Sequence, residues 1–360
     1  MVMLTEFYDF VIGGDPDRDS IDIAVVDAAT GGMLGHLADT ADGPGYQRML
    51  QWGQQQAPGR RVWALEGTGS FAAGLLAVLT EAGEDVLEVT GGKRPRGAKN
   101  DRIDAVQAAR TALALEHQAA PRASGLREAL RQVMTTRRAV LGARTTAINE
   151  FKALVVVAPE HLRAHLRGGS LLTQLQRVEA FTTPANANVE HRVTVLTLRS
   201  ITARIRFLFT QTAELDPELL ALIKQHPAGP ALLAEPGVGP VVAAQLLVSW
   251  SHSGRVRSES AFAALAGVAP LEASSGQRIR HRLNPGGDRD LNRALHTVAI
   301  TKMRCDSETR EYEARRTTEG KTHREIRRCV KRALARRLYR RIETAVRDHQ
   351  AAQNKLTQAA

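Results

Sequence analysis

Two short apolar runs near the N-terminus each end in an acid, and this repetition limits the fold more than any other feature. The runs are Phe10-Val11-Ile12-Gly13-Gly14-Asp15 and Arg61-Val62-Trp63-Ala64-Leu65-Glu66. Between them, Ile21 to Asp27 alternates as a second strand and Gly31 to Leu37 forms a third. Residues 44–55 have the spacing of a helix. After Glu66, Gly67-Thr68-Gly69-Ser70 turns the chain, Phe71 to Ala82 has helical spacing, and Asp85 to Thr90 is a further strand. Three strands followed by alternating helix and strand predict a mixed α/β sheet with helices on its faces. In such a sheet, acids at the ends of neighbouring strands converge. Asp15 and Glu66 are placed that way.

The stretch from Arg96 to Arg110 supplies the next acids. It runs without Gly or Pro from Asn100 onward, and Asp101 and Asp104 stand three apart on one helical face. Lys93, Arg94, Arg96, Lys99 and Arg102 surround them, a setting that suits phosphate. Taken alone, the stretch also reads as a solvated helix start, its acids favouring the helix dipole and pairing with nearby cations. Four carboxylates brought to one point repel unless they hold metal. Held metal of that kind fits two-ion phosphodiester chemistry, with one ion for the attacking oxygen and one for the leaving oxygen. Asp17, Asp19 and Asp22 lie in the turn or on the second strand and read as solvated acids.

Charge divides the chain. Residues 1–120 carry 10 Lys/Arg and 17 Asp/Glu, whereas residues 121–360 carry 39 and 21, within an overall net of +11. An acidic domain followed by a basic one suggests metal chemistry in front and a polyanion behind. Aromatics are 4% of the chain, so backbone charge rather than base stacking would carry nucleic-acid contacts. No apolar run reaches the roughly 18 residues of a membrane span. The N-terminus lacks a basic n-region, so no secretory signal is expected. Two late cysteines, Cys305 and Cys329, argue for a reducing compartment. The cytoplasm is the expected location.

Residues 121–225 change texture. Leu126, Leu130, Val133, Val140, Ala147, Phe151 and Leu154 follow helical spacing, interrupted by Arg137 and Arg144. Leu198, Ile201, Ile205, Leu208, Leu215, Leu219 and Leu222 repeat it. These predict two long amphipathic helices, an antiparallel or intermolecular coiled coil. His161 and His165 stand four apart, but no third ligand is near in sequence. Further on, Leu232 to Leu247 contains Pro236-Gly237-Val238-Gly239-Pro240 between apolar stretches, the form of a helix-hairpin-helix. There the backbone beside Gly237 and Gly239 can hold a DNA phosphate. Ser274-Ser275-Gly276 precedes Arg278, Arg280 and Arg282, which share one side if extended. The segment reads as a flexible turn, or as a nucleophile beside phosphate clamps. Asn284 to Asp288 then caps a helix starting at Arg289. Lys321 to Arg341 holds 10 Lys/Arg and one acid, with Ile326, Val330, Leu334, Leu338 and Ile342 spaced by four. One stripe is therefore buried, and Arg327, Arg328, Lys331 and Arg332 are candidates for a nucleic-acid backbone.

Taken in order, these motifs resemble the DEDD insertion-sequence transposases, now called bridge recombinases, which include the Piv-type DNA invertases. The carrying residues are Asp15, Glu66, Lys99-Asn100-Asp101-Arg102-Ile103-Asp104-Ala105, the Pro-Gly-Val-Gly-Pro hairpin, Ala266-Gly267-Val268-Ala269-Pro270, Ser-Ser-Gly and Leu291-Asn292-Arg293. The likeness covers about residues 8–345. It implies a RuvC-like, RNase H-fold domain over 8–120 and a coiled-coil linker over 121–225. A mainly helical transposase domain with a helix-hairpin-helix would follow over 226–345, with a tail over 346–360. It implies Mg²⁺, with Mn²⁺ as a substitute, on Asp15, Glu66, Asp101 and Asp104. It further implies a serine nucleophile that maps to Ser275, next to Ser274, and a phosphoserine link during strand exchange. The implied partners are element-end and target DNA, a structured non-coding bridge RNA, and further copies of the chain in a dimer or tetramer at the nucleoid. Two departures stand out: Pro16 follows the first acid, and Ser70 replaces a common aromatic. The competing readings are a RuvC-like junction nuclease that cuts by water attack and a nucleic-acid-binding relative with a vestigial acidic site.

Overall fold

In the computed structural model, which describes residues 3–89, 101–115, 119–122, 124–272, 281–282, 284 and 286–359, the run ending at Asp15 forms the middle strand of a five-stranded sheet. The strands are β1 (Phe10–Pro16), β2 (Ser20–Asp27), β3 (Met33–Thr40), β4 (Arg61–Leu65) and β5 (Val86–Glu88). Their order is β3-β2-β1-β4-β5. The first three pair antiparallel, while β1 with β4 and β4 with β5 pair parallel. Helices α1 (Gly43–Gln56), α2 (Ala73–Glu81) and α3 (Asp101–Ala114) cover the sheet.

The middle strands are buried on both faces, which is why they read as nearly continuous apolar runs. On one face Val11, Val62 and Ala64 share a core with Ala105, Ala108, Ala109 and Ala112 of α3. On the other, Ile12, Trp63 and Leu65 meet Met49 and Leu50 of α1 and Leu75 and Leu79 of α2. The alanines let α3 come close. A Cβ on Gly13 would lie 2.0 Å from the Ala105 carbonyl oxygen and 2.6 Å from the Ala109 nitrogen. Only a residue without a side chain fits there.

This sheet belongs to one compact unit, Met1–Ala123; the second is Ser124–Ala360. In the second, α4 (Leu126–Val157) and α7 (Val189–Gln225) form an antiparallel pair within one chain. Leu130 and Met134 share a core with Leu219, Leu222 and Ile223, and Phe151 shares one with Leu198 and Ile201. The two arginines that break the apolar spacing reach across the pair. Arg137 binds Asp216, and the Arg144 guanidinium lies 4.7 Å from the Phe209 ring centre. Helices α5 (Glu160–Leu166) and α6 (Leu171–Glu179) pack at the Phe151 end. There His161 stacks on His191, with Nε2 2.6 Å from Nδ1, while His165 Nδ1 bonds the His161 carbonyl. At the other end the pair merges with α8 (Gly229–Leu233), α9 (Pro240–Trp250), α10 (Glu259–Leu265), α11 (Arg289–Cys305) and α13 (His323–Ala359) in one core. The short strands β6 (Leu271–Glu272) and β7 (His281–Arg282) precede α11, and α12 (Ser307–Thr318) follows it. Among the described residues no helix is long and apolar enough to cross a membrane.

The packing of α3 gives a direct test. Gly13→Ala should lower unfolding stability by about 1–3 kcal/mol, the cost of overpacking a closed contact. Gly142→Ala in α4, where a Cβ meets nothing within 4 Å, should instead raise it by about 0.5–1 kcal/mol. Denaturant unfolding measures both, and a neutral Gly13→Ala would contradict the close approach of α3.

Candidate active site

Parallel pairing sets Asp15 beside Glu66. Gly14 pairs with Leu65, and the Glu66 N–H donates to the Gly14 carbonyl at 3.4 Å. Side chains alternate across a strand. Val11 and Gly13 face α3, so Asp15 does too; Val62 and Ala64 set the same side for Glu66. Helix α3 then brings Asp104 to this edge, because Asp104 precedes the Ala105 whose carbonyl rests on Gly13. Asp15, Glu66 and Asp104 are all half-buried. Asp101 opens α3 one turn earlier, and its side chain lies outside the described residues, as do Lys93, Arg94, Arg96 and Lys99.

Asp22 departs from its expected role as a solvated acid. It pairs in register with Asp15, on the face where Ala24 and Val26 meet α3. Its side chain is 15% exposed, and His36 Nε2 lies 2.7 Å from its Oδ1. The period-two series Asp22, Ala24, Val26 carried that signal in the sequence. Asp19, by contrast, pairs with Arg18 in the exposed turn. The carboxylates at this edge are hard oxygen donors of the kind that Mg²⁺ and Mn²⁺ prefer. Among the described residues, to which the Asp101 side chain does not belong, no three His, Cys, Asp or Glu side chains cluster around one point.

In the C-terminal unit, α8 and α9 flank the Pro236–Pro240 hairpin. Gly237 has φ of 87°, the left-handed region, and packs beside Thr301 of α11. Gly239 precedes α9, and Pro240 fills its first turn, where a missing N–H costs nothing. Just before the hairpin, the Glu235 side chain is 0% exposed. It binds Lys302 at 3.0 Å and also Arg337 and Arg341, so one carboxylate ties the hairpin to α11 and α13.

The serine segment is bracketed by β6 and β7, in which Leu271 pairs with Arg282 and Glu272 with His281. Ser274, Ser275, Arg278 and Arg280 lie outside the described residues, as does the side chain of Arg282. Two turns lock together beside this pair. A Cβ on Gly287 would lie 2.6 Å from the Leu265 carbonyl oxygen, which accepts the Asp288 N–H at 2.7 Å. The Asp288 carboxylate caps α11 by accepting the Asp290 and Leu291 N–H groups, and Ser249 Oγ donates to it at 2.6 Å. On α13, Ile326, Val330, Leu334, Leu338 and Ile342 form the buried stripe. Arg328 and Arg332 are exposed and Arg327 is half-buried, but Lys331 is buried rather than on their solvent face.

Both ends of the chain match transposase family models. Residues 12–158, which hold all four acids, match one described as a DEDD transposase of IS110 type. Residues 230–314 match the Transposase IS116/IS110/IS902 family. The chain belongs to the IS110 family of DEDD transposases. Over 125 residues it is 35% identical to the insertion element IS110 uncharacterized 43.6 kDa protein of Streptomyces coelicolor, covering 34% of this chain and 31% of that one. Over 339 residues it is 26% identical to the insertion element IS900 uncharacterized 42 kDa protein of Mycobacterium paratuberculosis, covering 81% and 84%. The chain thus spans under a third of the first relative's length and most of the second's. Transposases of this family are DNA-cleaving, strand-transferring enzymes.

The edge acids can be ranked by substitution. Asp104→Asn keeps the size and removes the charge, and should abolish metal-dependent DNA cleavage. Asp22→Asn should cost roughly 10- to 100-fold, as for a group that supports the ligands from behind. Asp19→Asn should leave the rate unchanged. Cleavage of labelled element-end DNA reads all three, and full activity in Asp104→Asn would remove it from the site.

Proposed function

We propose that this chain is a bridge-RNA-guided DNA recombinase of an insertion sequence, cutting and rejoining element-end and target DNA. The observation that supports the reading is the register that sets Asp15 and Glu66 at neighbouring strand ends, with α3 packed on Gly13 through the Ala105 that follows Asp104, in a chain that matches transposase models at both ends. The strand order β3-β2-β1-β4-β5 supports an RNase H-like, RuvC-type fold for the first unit. Asp15, Glu66, Asp101 and Asp104 would hold the divalent cation, which when bound supplies charge stabilisation at the reacting phosphate. Asp22 and His36 keep the edge in place from behind.

Ser275 acts as the nucleophile. Its Oγ forms a bond to phosphorus as the bond from phosphorus to a deoxyribose oxygen breaks, and that oxygen leaves as a hydroxyl after taking up a proton. The number of phosphoester bonds is unchanged, so an incoming DNA hydroxyl can reverse the step without ATP. The arginines at 278, 280 and 282 neutralise charge developing on the phosphorane. Gly276 lets the backbone approach the strand. The hairpin at Gly237 and Gly239 and the exposed Arg328 and Arg332 hold DNA backbone. The bridge RNA pairs with donor and target DNA, so base choice needs no side-chain readout. Active assemblies are dimers or tetramers in which acids and serine come from different copies.

A nicked DNA substrate trapped on the full chain with its RNA tests this. The parent should form a covalent adduct on a denaturing gel, and Ser275→Ala should bind DNA and RNA but form none. An adduct in Ser275→Ala would move the nucleophile elsewhere, with Ser274 first in line. Release of free ends by the parent, with no adduct, would favour the water-attack nuclease.

A further inference from the structure

Four cations on the C-terminal side of Lys331 in α13 have carboxylates. Arg336 and Arg340 pair with Glu259, and Arg337 and Arg341 pair with Glu235. One group does not. Lys331 turns inward toward α11, where its Nζ meets Asn292 Oδ1 at 2.5 Å, and its side chain stays 9% exposed. Arg289, Asn292 and His296 stand at spacings of three and four along α11, one face of that helix. Arg327, one turn before Lys331, has its Nε buried without a hydrogen-bond partner among the described residues. The charges that act most on Lys331 are the Arg289 and Arg327 guanidiniums, and those that act on His296 are Lys331 and Arg327. Burial and these neighbours push both groups below their ordinary ranges.

A cation withdrawn from water and crowded by like charges, with only a neutral amide oxygen as partner, is unfavourable unless an anion joins it. No carboxylate pairs with Arg289, His296, Arg327 or Lys331 among the described residues. The seam also touches the turns that flank β6 and β7. Asn292 Nδ2 donates to the Ala266 carbonyl at 2.7 Å, and Gly267 stacks against the Asn284–Gly287 turn. Those two turns lead into β6 and out of β7. The seam therefore sits at the foot of the bracketed serine segment.

We infer that Arg289, His296, Arg327 and Lys331 form a binding site for one backbone phosphate of the nucleic-acid strand engaged beside β6 and β7. Lys331 is its centre, and Asn292 couples the bound phosphate to the Ala266–Gly267 turn. The inference rests on the DNA-handling reading of the chain, but its test reads equilibrium binding. Failure to cut or rejoin DNA leaves that test intact.

The probes are a duplex DNA and a duplex RNA of equal length, titrated onto the full-length protein across a salt series. Lys331→Gln keeps a donor for Asn292 and removes the charge. It should weaken binding and reduce the slope of log K against log salt by about 0.9, one phosphate contact in B-DNA. Arg327→Gln should act in the same direction, and the exposed Arg347→Gln on the same helix should leave the slope within error. Thermal unfolding of Lys331→Gln should not fall, because a like-charge contact is removed. Loss with the DNA probe assigns the site to DNA, and loss only with the RNA probe assigns it to guide RNA. An unchanged slope with both probes, or an equal drop in Arg347→Gln, would overturn the site and leave Lys331 as a structural tether for Asn292.

Discussion

The contact between α3 and the bare backbone of Gly13 governs the first unit. An alanine-lined helix face lies against a strand without a side chain, and the helix comes close enough that a single methyl group would collide with it. That contact fixes both the position of α3 and its rotation about its own axis. With Ala105 fixed, Asp104 must arrive beside the end of β1. The parallel ladder between β1 and β4 brings Glu66 to the same edge independently of the helix. The positions of these carboxylates are thus set by apolar packing and backbone pairing away from the acids themselves.

The C-terminal unit handles charge differently. Its excess of cations is partly absorbed by two buried or half-buried acids, Glu235 and Glu259, which anchor α13 to the hairpin and to α10. Glu235 stands two residues before the first hairpin glycine, so the same ion pairs that join α11 and α13 also position the hairpin. The inward Lys331 is left against an amide, with the partnerless Nε of Arg327 one turn away. Uneven neutralisation along one helix separates structural arginines from those open to a ligand.

Much of this was legible in the residues. Apolar runs ending in acids placed β1 and β4, and the Asp-x-x-Asp spacing placed the start of α3, because strand alternation and helix period are local properties. The partner of an amphipathic helix is not local. The stripes of α4 and α7 indicated a long helical pair, but only the core that joins Leu130 with Leu222 shows that the pair closes within one chain. Asp22 reads as one more acid of the run Asp15, Asp17 and Asp19 that leads through the turn, although every second residue after it is apolar. Lys331 was grouped with exposed arginines because its burial depends on Asn292, a residue 39 positions away.

The central claim is that packing preassembles an acidic edge that binds divalent metal. Electron paramagnetic resonance of Mn²⁺ titrated onto the full-length protein with nicked duplex DNA tests this without requiring turnover. The account predicts saturable binding that Mg²⁺ displaces and that Asp15→Asn and Glu66→Gln each weaken strongly, while the folded signal of the protein is unchanged. Mn²⁺ binding of equal affinity in the parent and both variants would contradict it.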